Sequence, residues 1–424
     1  MKIKILLTLL IITCFSGLVQ AQNISLQCGA TVDVLGKKLS GPQTIHVVDG
    51  RIAATPTGST EVVDLSDHTC LPGLIDMHVH LTSESNPKAY LERFTLNTAD
   101  YAFRAARYAK ATLDAGFTTV RNLGDDGTIT KSLRDAVRQG IVEGPRIFSA
   151  GKSLATTGGH ADPSNGYRAD LMGDPTPKEG VVNGAEDAAK AVRQRYKEGA
   201  DLIKITATGG VLSTAKNGQN PQFTEAELAA IVRTANDYGF KVAAHAHGAE
   251  GMKRAIRAGV SSIEHGTLMD DEARKLMKKH GTYLVPTILA GEFVMNKAKI
   301  DGYFPEIVRP KAASIGPQLK SNFKRAVEAG VKIAFGTDSG VSAHGDNAQE
   351  FALMVAAGMS PMEAIRSATV HAADLLGASD DLGSLTVGKY GDIIAVQGNP
   401  LENISLLEKV SFVMQGGRIV EISK

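Results

Sequence analysis

Leu74-Ile75-Asp76-Met77-His78-Val79-His80 reads as a short apolar strand that finishes on two histidines one residue apart. Alternate side chains of a strand share a face, so His78 and His80 can grip one ion together. Outward from this stretch, seven more β-branched apolar runs follow, at 117–120, 146–149, 202–206, 241–244, 262–264, 283–285 and 332–335. Segments with helical periodicity separate them, 185–197 and 225–237 among them. Ser360-Pro361-Met362-Glu363 is a capping box with proline at the first helical position, and it opens a helix running through Leu376. Repeated strand–helix units predict a parallel sheet. Eight of them predict a closed (β/α)8 TIM barrel of the α/β class.

The two ends of the chain have a different texture. Near the N-terminus, Ile45-His46-Val47-Val48 leads through Asp49-Gly50 into Arg51-Ile52-Ala53, a strong hairpin signal. Near the C-terminus, 392–396 and 410–414 are strand-like, and Gly416-Gly417 forms another tight turn before Arg418. Both ends together predict one small β-sandwich domain. The expected organisation is a signal peptide at 1–21, the first part of the β domain at 22–72, the barrel at 73–382, and the rest of the β domain at 383–424.

The signal-peptide expectation rests on Lys2 and Lys4, the apolar run 5–15, and Val19-Gln20-Ala21 as a cleavage site. That run falls short of the ~20 residues a membrane span needs. Export to the periplasm or beyond is expected, with no stable membrane span in the mature chain. An uncleaved anchor is the alternative, and the residues before Cys14 match a lipoprotein site poorly. Lys plus Arg is 46 against 45 for Asp plus Glu, which excludes the charge signature of a nucleic-acid partner. Cys28 and Cys70 flank one predicted domain; a disulfide and two buried thiols are both open readings.

In a barrel of this kind the chemistry sits at the C-terminal ends of the strands. The polar residues there are His78 and His80, Lys204, His245, His265 and Asp338. Three or more imidazoles with a carboxylate suit zinc or a similar divalent ion. Taken singly, each has an ordinary alternative: an incidental histidine pair, an ion-paired lysine, a helix-capping aspartate. Their common position at strand ends, in order around one barrel, carries the metal-site reading.

Residues 71–80, Ile263-Glu264-His265-Gly266, Phe335-Gly336-Thr337-Asp338-Ser339 and the closing 385–392 segment resemble the amidohydrolase superfamily. The likeness is to its branch of imidazolonepropionase-like proteins, Xaa-Pro and Xaa-Lys/Arg dipeptidases and ochratoxin-degrading enzymes, and it covers nearly the whole mature chain. The resemblance implies two metal ions. His78, His80 and Asp338 would hold the more buried one, and His245 and His265 the more exposed one. It also implies that Lys204 takes up CO2 and bridges both ions as a carbamate. Two such cations make hydroxide available near neutral pH and polarise a carbonyl, and Asp338 would act as general base and then acid.

For substrate contact the candidates are His160, His247, Tyr167, Arg168 and His344, all in predicted mouth loops. His46, His68, His280 and His371 read as structural or solvent-facing. The expected activity is hydrolysis of an amide bond in a dipeptide or N-acyl amino acid with a free carboxylate, by a homo-oligomer acting on small molecules. The alternatives are an esterase, lactonase or phosphotriesterase with the same centre, and a non-catalytic binding protein. The last predicts missing ligands, and none is missing.

Overall fold

The computed structural model describes residues 23–125, 127–214 and 218–423. The signal-peptide expectation, with Cys14, falls outside them. Eight terminal strands, Asn23–Asp33, Lys38–Ser40, Gln43–Val48, Arg51–Ala53, Thr60–Pro72, Ile393–Gln397, Phe412–Gln415 and Arg418–Ile419, share one hydrogen-bonded sheet. Thr60–Pro72 runs parallel to Asn23–Asp33 and antiparallel to Ile393–Gln397, so hydrogen bonding passes unbroken between the two ends of the chain. Ile24, Leu26, Ile45, Val47, Ile393 and Phe412 build a core of their own, while Ile394, Val396 and Val413, next to them along the same strands, join the core of the α/β body.

The Asp49-Gly50 hairpin forms as expected, with both residues at positive φ (49° and 77°), the backbone that a two-residue turn of this twist requires. Cys28 and Cys70 lie on neighbouring strands, with a register shift between them, at a Cα–Cα distance of 6.0 Å, and form a disulfide. Closing a loop of 42 residues removes unfolded-chain entropy, roughly 3–4 kcal/mol on a loop-closure estimate.

The α/β body contains two parallel sheets. One holds Leu74–Val79, Phe117–Asn122 and Arg146–Ser149; the other holds Ile203–Thr206, Val242–Gly248, Ser262–Leu268 and Tyr283–Val285. Hydrogen bonds of Leu154 with Lys204 and Thr206 connect them on one side (2.8 and 3.0 Å). On the other, Leu284 pairs with Ile333, Met77 N donates to Phe335 O (2.9 Å), and Asp338 N donates to His78 O (2.7 Å). The eighth run, 332–335, makes single bridges and no regular strand. Phe335 instead anchors it through rings, with centroids 5.4 Å from Phe117 and 4.3 Å from Phe351. Removing such a buried ring costs roughly 3–5 kcal/mol.

Helices Ala185–Glu198 and Glu225–Asp237 match their sequence patterns. The helix expected from 361 to 376 is two helices, Pro361–Ser367 and Val370–Leu376. The break has a clear cause: the carbonyls of Ser367 and Ala368 accept the N–H groups of Phe335 and Ile75 (3.0 and 2.8 Å). Carbonyls committed to the strands cannot continue the helical ladder.

Candidate metal centre

One face at the end of strand Leu74–Val79 brings the first group together. His78 Nε2 lies 3.4 Å and His80 Nε2 3.2 Å from Asp338 Oδ1. The opposite ring nitrogens are already committed. His78 Nδ1 donates to Glu264 Oε2 (3.1 Å), and His80 Nδ1 donates to Gly124 O (2.8 Å). With a carboxylate and a carbonyl as acceptors, Nδ1 carries the proton and Nε2 turns a lone pair toward Asp338. That is the tautomer a metal ligand needs.

His245, His247 and His265 form the second group, and their ligand atoms lie within 4.8 Å of one another, as do those of the first. His245 and His247 alternate along Val242–Gly248 and therefore share a face. His245 Nε2 donates to Gly209 O (3.1 Å); His265 Nδ1 meets Thr287 Oγ1 and His247 Nδ1 meets Thr267 Oγ1, both at 2.7 Å. Burial pushes the pKa of His78, His245 and His265 well below the ordinary imidazole value, and that of His247 to about 4. Neutral imidazoles with one nitrogen fixed and the other open suit divalent cations. The sequence expectation gave His247 to the substrate; its place beside His245 and His265 makes it a third imidazole of that group.

Lys204 is buried between the groups, its Nζ 3.4 Å from His78 Nε2, and burial lowers its pKa to about 8. Burial alone would raise the Asp338 carboxyl; His78 and His80, with Lys204, outweigh it and hold it below its ordinary value. Two of these residues sit in the left-handed region of the backbone, His265 at φ 71° and Asp338 at φ 60°. Non-glycine residues there store of order 1–3 kcal/mol each, and such strain concentrates at functional sites.

The six residues expected to bind metal, with His160 and His247, line one cavity of about 200 Å³. Most of its remaining wall is apolar, with Val211, Leu212, Ala290, Val294, Ile315 and Leu319, and Ser153, Thr206 and Thr287 add hydroxyls. His160 reaches it with its ring 4.4 Å from His245 and a buried Nδ1 that has no hydrogen-bond partner. Burial, with His247 and Lys204 nearby, takes its pKa down to about 3. Tyr167, Arg168 and His344 do not line this cavity. Arg168 is 73% exposed and paired with Asp170, and Tyr167 packs against Phe94. His344 stacks on Tyr108 and ties Ser83 to Glu84. His46 bonds Ser25, His68 pairs with Asp67, and His371 bonds Ile333, all structural roles.

The sequence pattern of the amidohydrolase family matches residues 69–420, which include both groups and Lys204. The chain belongs to the amidohydrolase family. It is a hydrolase of amide bonds. The ochratoxinase of Aspergillus niger is 31% identical to this amidohydrolase over 95% of the chain and 82% of its own length. The crystal structure of a Xaa-Pro dipeptidase with methionine in its active site is 53% identical, with a TM-score of 0.91, covering 94% of this chain and all of that one. The imidazolonepropionase of Fusobacterium nucleatum is 23% identical over 80% of this chain and 78% of its own length.

The sequence reading gave no role to the residues that hold the ligands of this amidohydrolase in place. Glu264 stands beside His265 in sequence, yet its carboxylate serves His78 and is fixed by Arg121 (2.9 Å) and Ser262 (2.5 Å). Asp76 accepts from Thr337 Oγ1, Asn347 Nδ2 and the His78 N–H, beneath the first group. Buried charge inside an apolar strand was the available signal, since such residues are seldom buried unpaired.

Proposed function

We propose that this amidohydrolase uses two divalent ions, zinc by the chemistry of the donors, to cleave dipeptides or N-acyl amino acids that carry a free carboxylate. The observation that carries the reading is the pairing of two imidazole groups around Lys204, with every imidazole's second nitrogen hydrogen-bonded. The likeness to a Xaa-Pro dipeptidase and to an ochratoxinase supports the amide and the carboxylate. The closed circuit of strand links supports a (β/α)8 barrel. His78, His80 and Asp338 would hold one ion, His245 and His265, with His247 beside them, the other, and Lys204 both.

When bound, the ions supply an ionised water and polarise the scissile carbonyl. Asp338 takes the proton on its carboxylate and returns it to the leaving nitrogen. His160, neutral and with Nδ1 unpartnered, offers a hydrogen bond to the substrate carbonyl or carboxylate. The apolar wall takes an uncharged side chain and keeps water out. Lys204 as an ammonium would repel both ions. Its lowered pKa leaves a neutral fraction that adds CO2, forming the N–C bond of an anionic carbamate and releasing a proton.

We also propose export, on the N-terminal pattern, and self-association; among the described residues no helix is long and apolar enough to cross a membrane. The deciding experiment screens dipeptides and N-acyl amino acids against zinc-loaded enzyme, with esters, lactones and a phosphotriester in the same panel. Amide turnover with a preference for free acids is the expected result. Turnover confined to esters or lactones would move the function to that chemistry.

A further inference from the structure

Two further cavities adjoin the metal cavity, one at His80 and one at His247, and their charges differ. At the His80 end lies a space of about 300 Å³ that shares His80, Leu212 and Val341 with the main cavity. Its charged lining is balanced, Arg93 and Arg104 against Glu84 and Glu92, with Arg104 already bonded to Glu92 (3.0 Å). At the His247 end lies a space of about 70 Å³ that shares His247, Val211 and Ile315. This one contains Lys311, Ser314 and Gln318 and, among the described residues, no carboxylate.

We propose that the smaller cavity receives the substrate's carboxylate against Lys311, while the acyl residue lies in the larger cavity beyond His80. This assignment rests on the amide-hydrolase reading above. Size separates the two spaces: the smaller one admits a carboxylate and little else, whereas the larger one accommodates a whole residue. Charge points the same way. A cavity with a cation and no acid favours an anion, and the balanced one favours neither sign.

Lys311 is fixed where the role needs it. Its ammonium donates to Gly210 O (3.1 Å) and Ser213 O (2.7 Å), which seats it half-buried on helix Arg309–Glu328. Arg168 lies outside these three cavities. Among the described residues lining the two cavities that meet at His247, Lys311 is the cation other than Lys204. A carboxylate in this pocket places the scissile carbonyl, one residue away, beside the imidazole groups, and the fixed geometry raises the effective concentration of the reacting groups.

The test titrates zinc-loaded protein with L-methionine and with L-methioninamide by calorimetry, in the unmodified enzyme and in Lys311→Met and Lys311→Arg. The unmodified enzyme is expected to bind the acid at least tenfold more tightly than the amide. Lys311→Met should shrink that ratio to within about threefold of one, with zinc content retained, and Lys311→Arg should keep most of it. In parallel, the acid-to-amide ratio of kcat/KM on a dipeptide should collapse in Lys311→Met through KM. Equal binding of acid and amide by the unmodified enzyme, or an unchanged preference in Lys311→Met, overturns the assignment. Discrimination between methionine and its amide without turnover of any amide supports the pocket and refutes only the reaction reading.

Discussion

Thr287 and His265 both occupy left-handed backbone conformations, φ 52° and 71°, and their side chains meet, Oγ1 to Nδ1, at 2.7 Å. A β-branched residue is rarely found there. Glu350 helps to hold it: its two carboxylate oxygens accept the N–H groups of Ile288 (2.9 Å) and Leu289 (2.6 Å), the first residues of the helix that follows Thr287. That same helix presents Ala290, Gly291 and Val294 to the cavity. One buried carboxylate thus positions both a metal-group histidine and part of the apolar wall.

Thr287→Val keeps the branched shape and removes the hydroxyl. His265 then loses the partner that fixes its ring, and metal affinity should fall roughly 10–100-fold, the usual cost of losing such a supporting contact. Chelator competition measures it. An unchanged affinity would show that His265 is oriented by packing alone.

Gly210 is a position where a side chain cannot fit, because a Cβ there would overlap the imidazole of His160. Gly210→Ala should therefore displace His160 and lower kcat/KM about as far as His160→Ala does. The two substitutions together should cost little more than either alone, since residues in contact do not act additively. Fully additive losses would separate Gly210 from His160.

Glu350 gives a pH signature. Burial raises its pKa to about 8, above its ordinary unfolded value near 4.5. A group with a raised folded pKa favours the fold when protonated, so its contribution is complete below pH 4.5 and is lost as pH rises through 8. Stability of metal-free protein should fall between pH 6 and 8.5, by at most roughly 1.4 kcal/mol per pH unit from this group. Glu350→Gln should flatten that fall, as followed by urea unfolding at the two pH values. An equal fall in both proteins means that Glu350 is ionised throughout.

Asp338→Asn preserves the shape of the first group and removes a carboxylate that can carry a proton. Turnover should drop by roughly 10²–10⁴, the range for losing a general base. Zinc is counted in the same samples, because Asp338 is also a proposed ligand. Near-normal rates with both ions present would remove Asp338 from proton transfer.

Much of the site is written locally. His78 and His80 on one strand face follow from a period of two, and each proposed ligand falls just where an apolar run ends; periodicity and residue type are local properties. The Asp49-Gly50 turn and the helix 225–237 are local in the same sense. What the sequence left open is set by long-range pairing. Cys28 and Cys70 could be paired or free until two distant strands were aligned with a register shift. The helix 361–376 breaks because the strands at Ile75 and Phe335 claim its carbonyls across about 300 and 30 residues of chain, which no propensity encodes. Glu264 serves His78, 186 residues away, and not its neighbour His265. Lys311, on a helix with no site motif, reaches the cavity while Arg168, in a predicted mouth loop, points to solvent. Residue type and spacing selected the metal chemistry; the packing of distant segments decided which charges are buried beside it, because burial depends on neighbours brought together only by the fold.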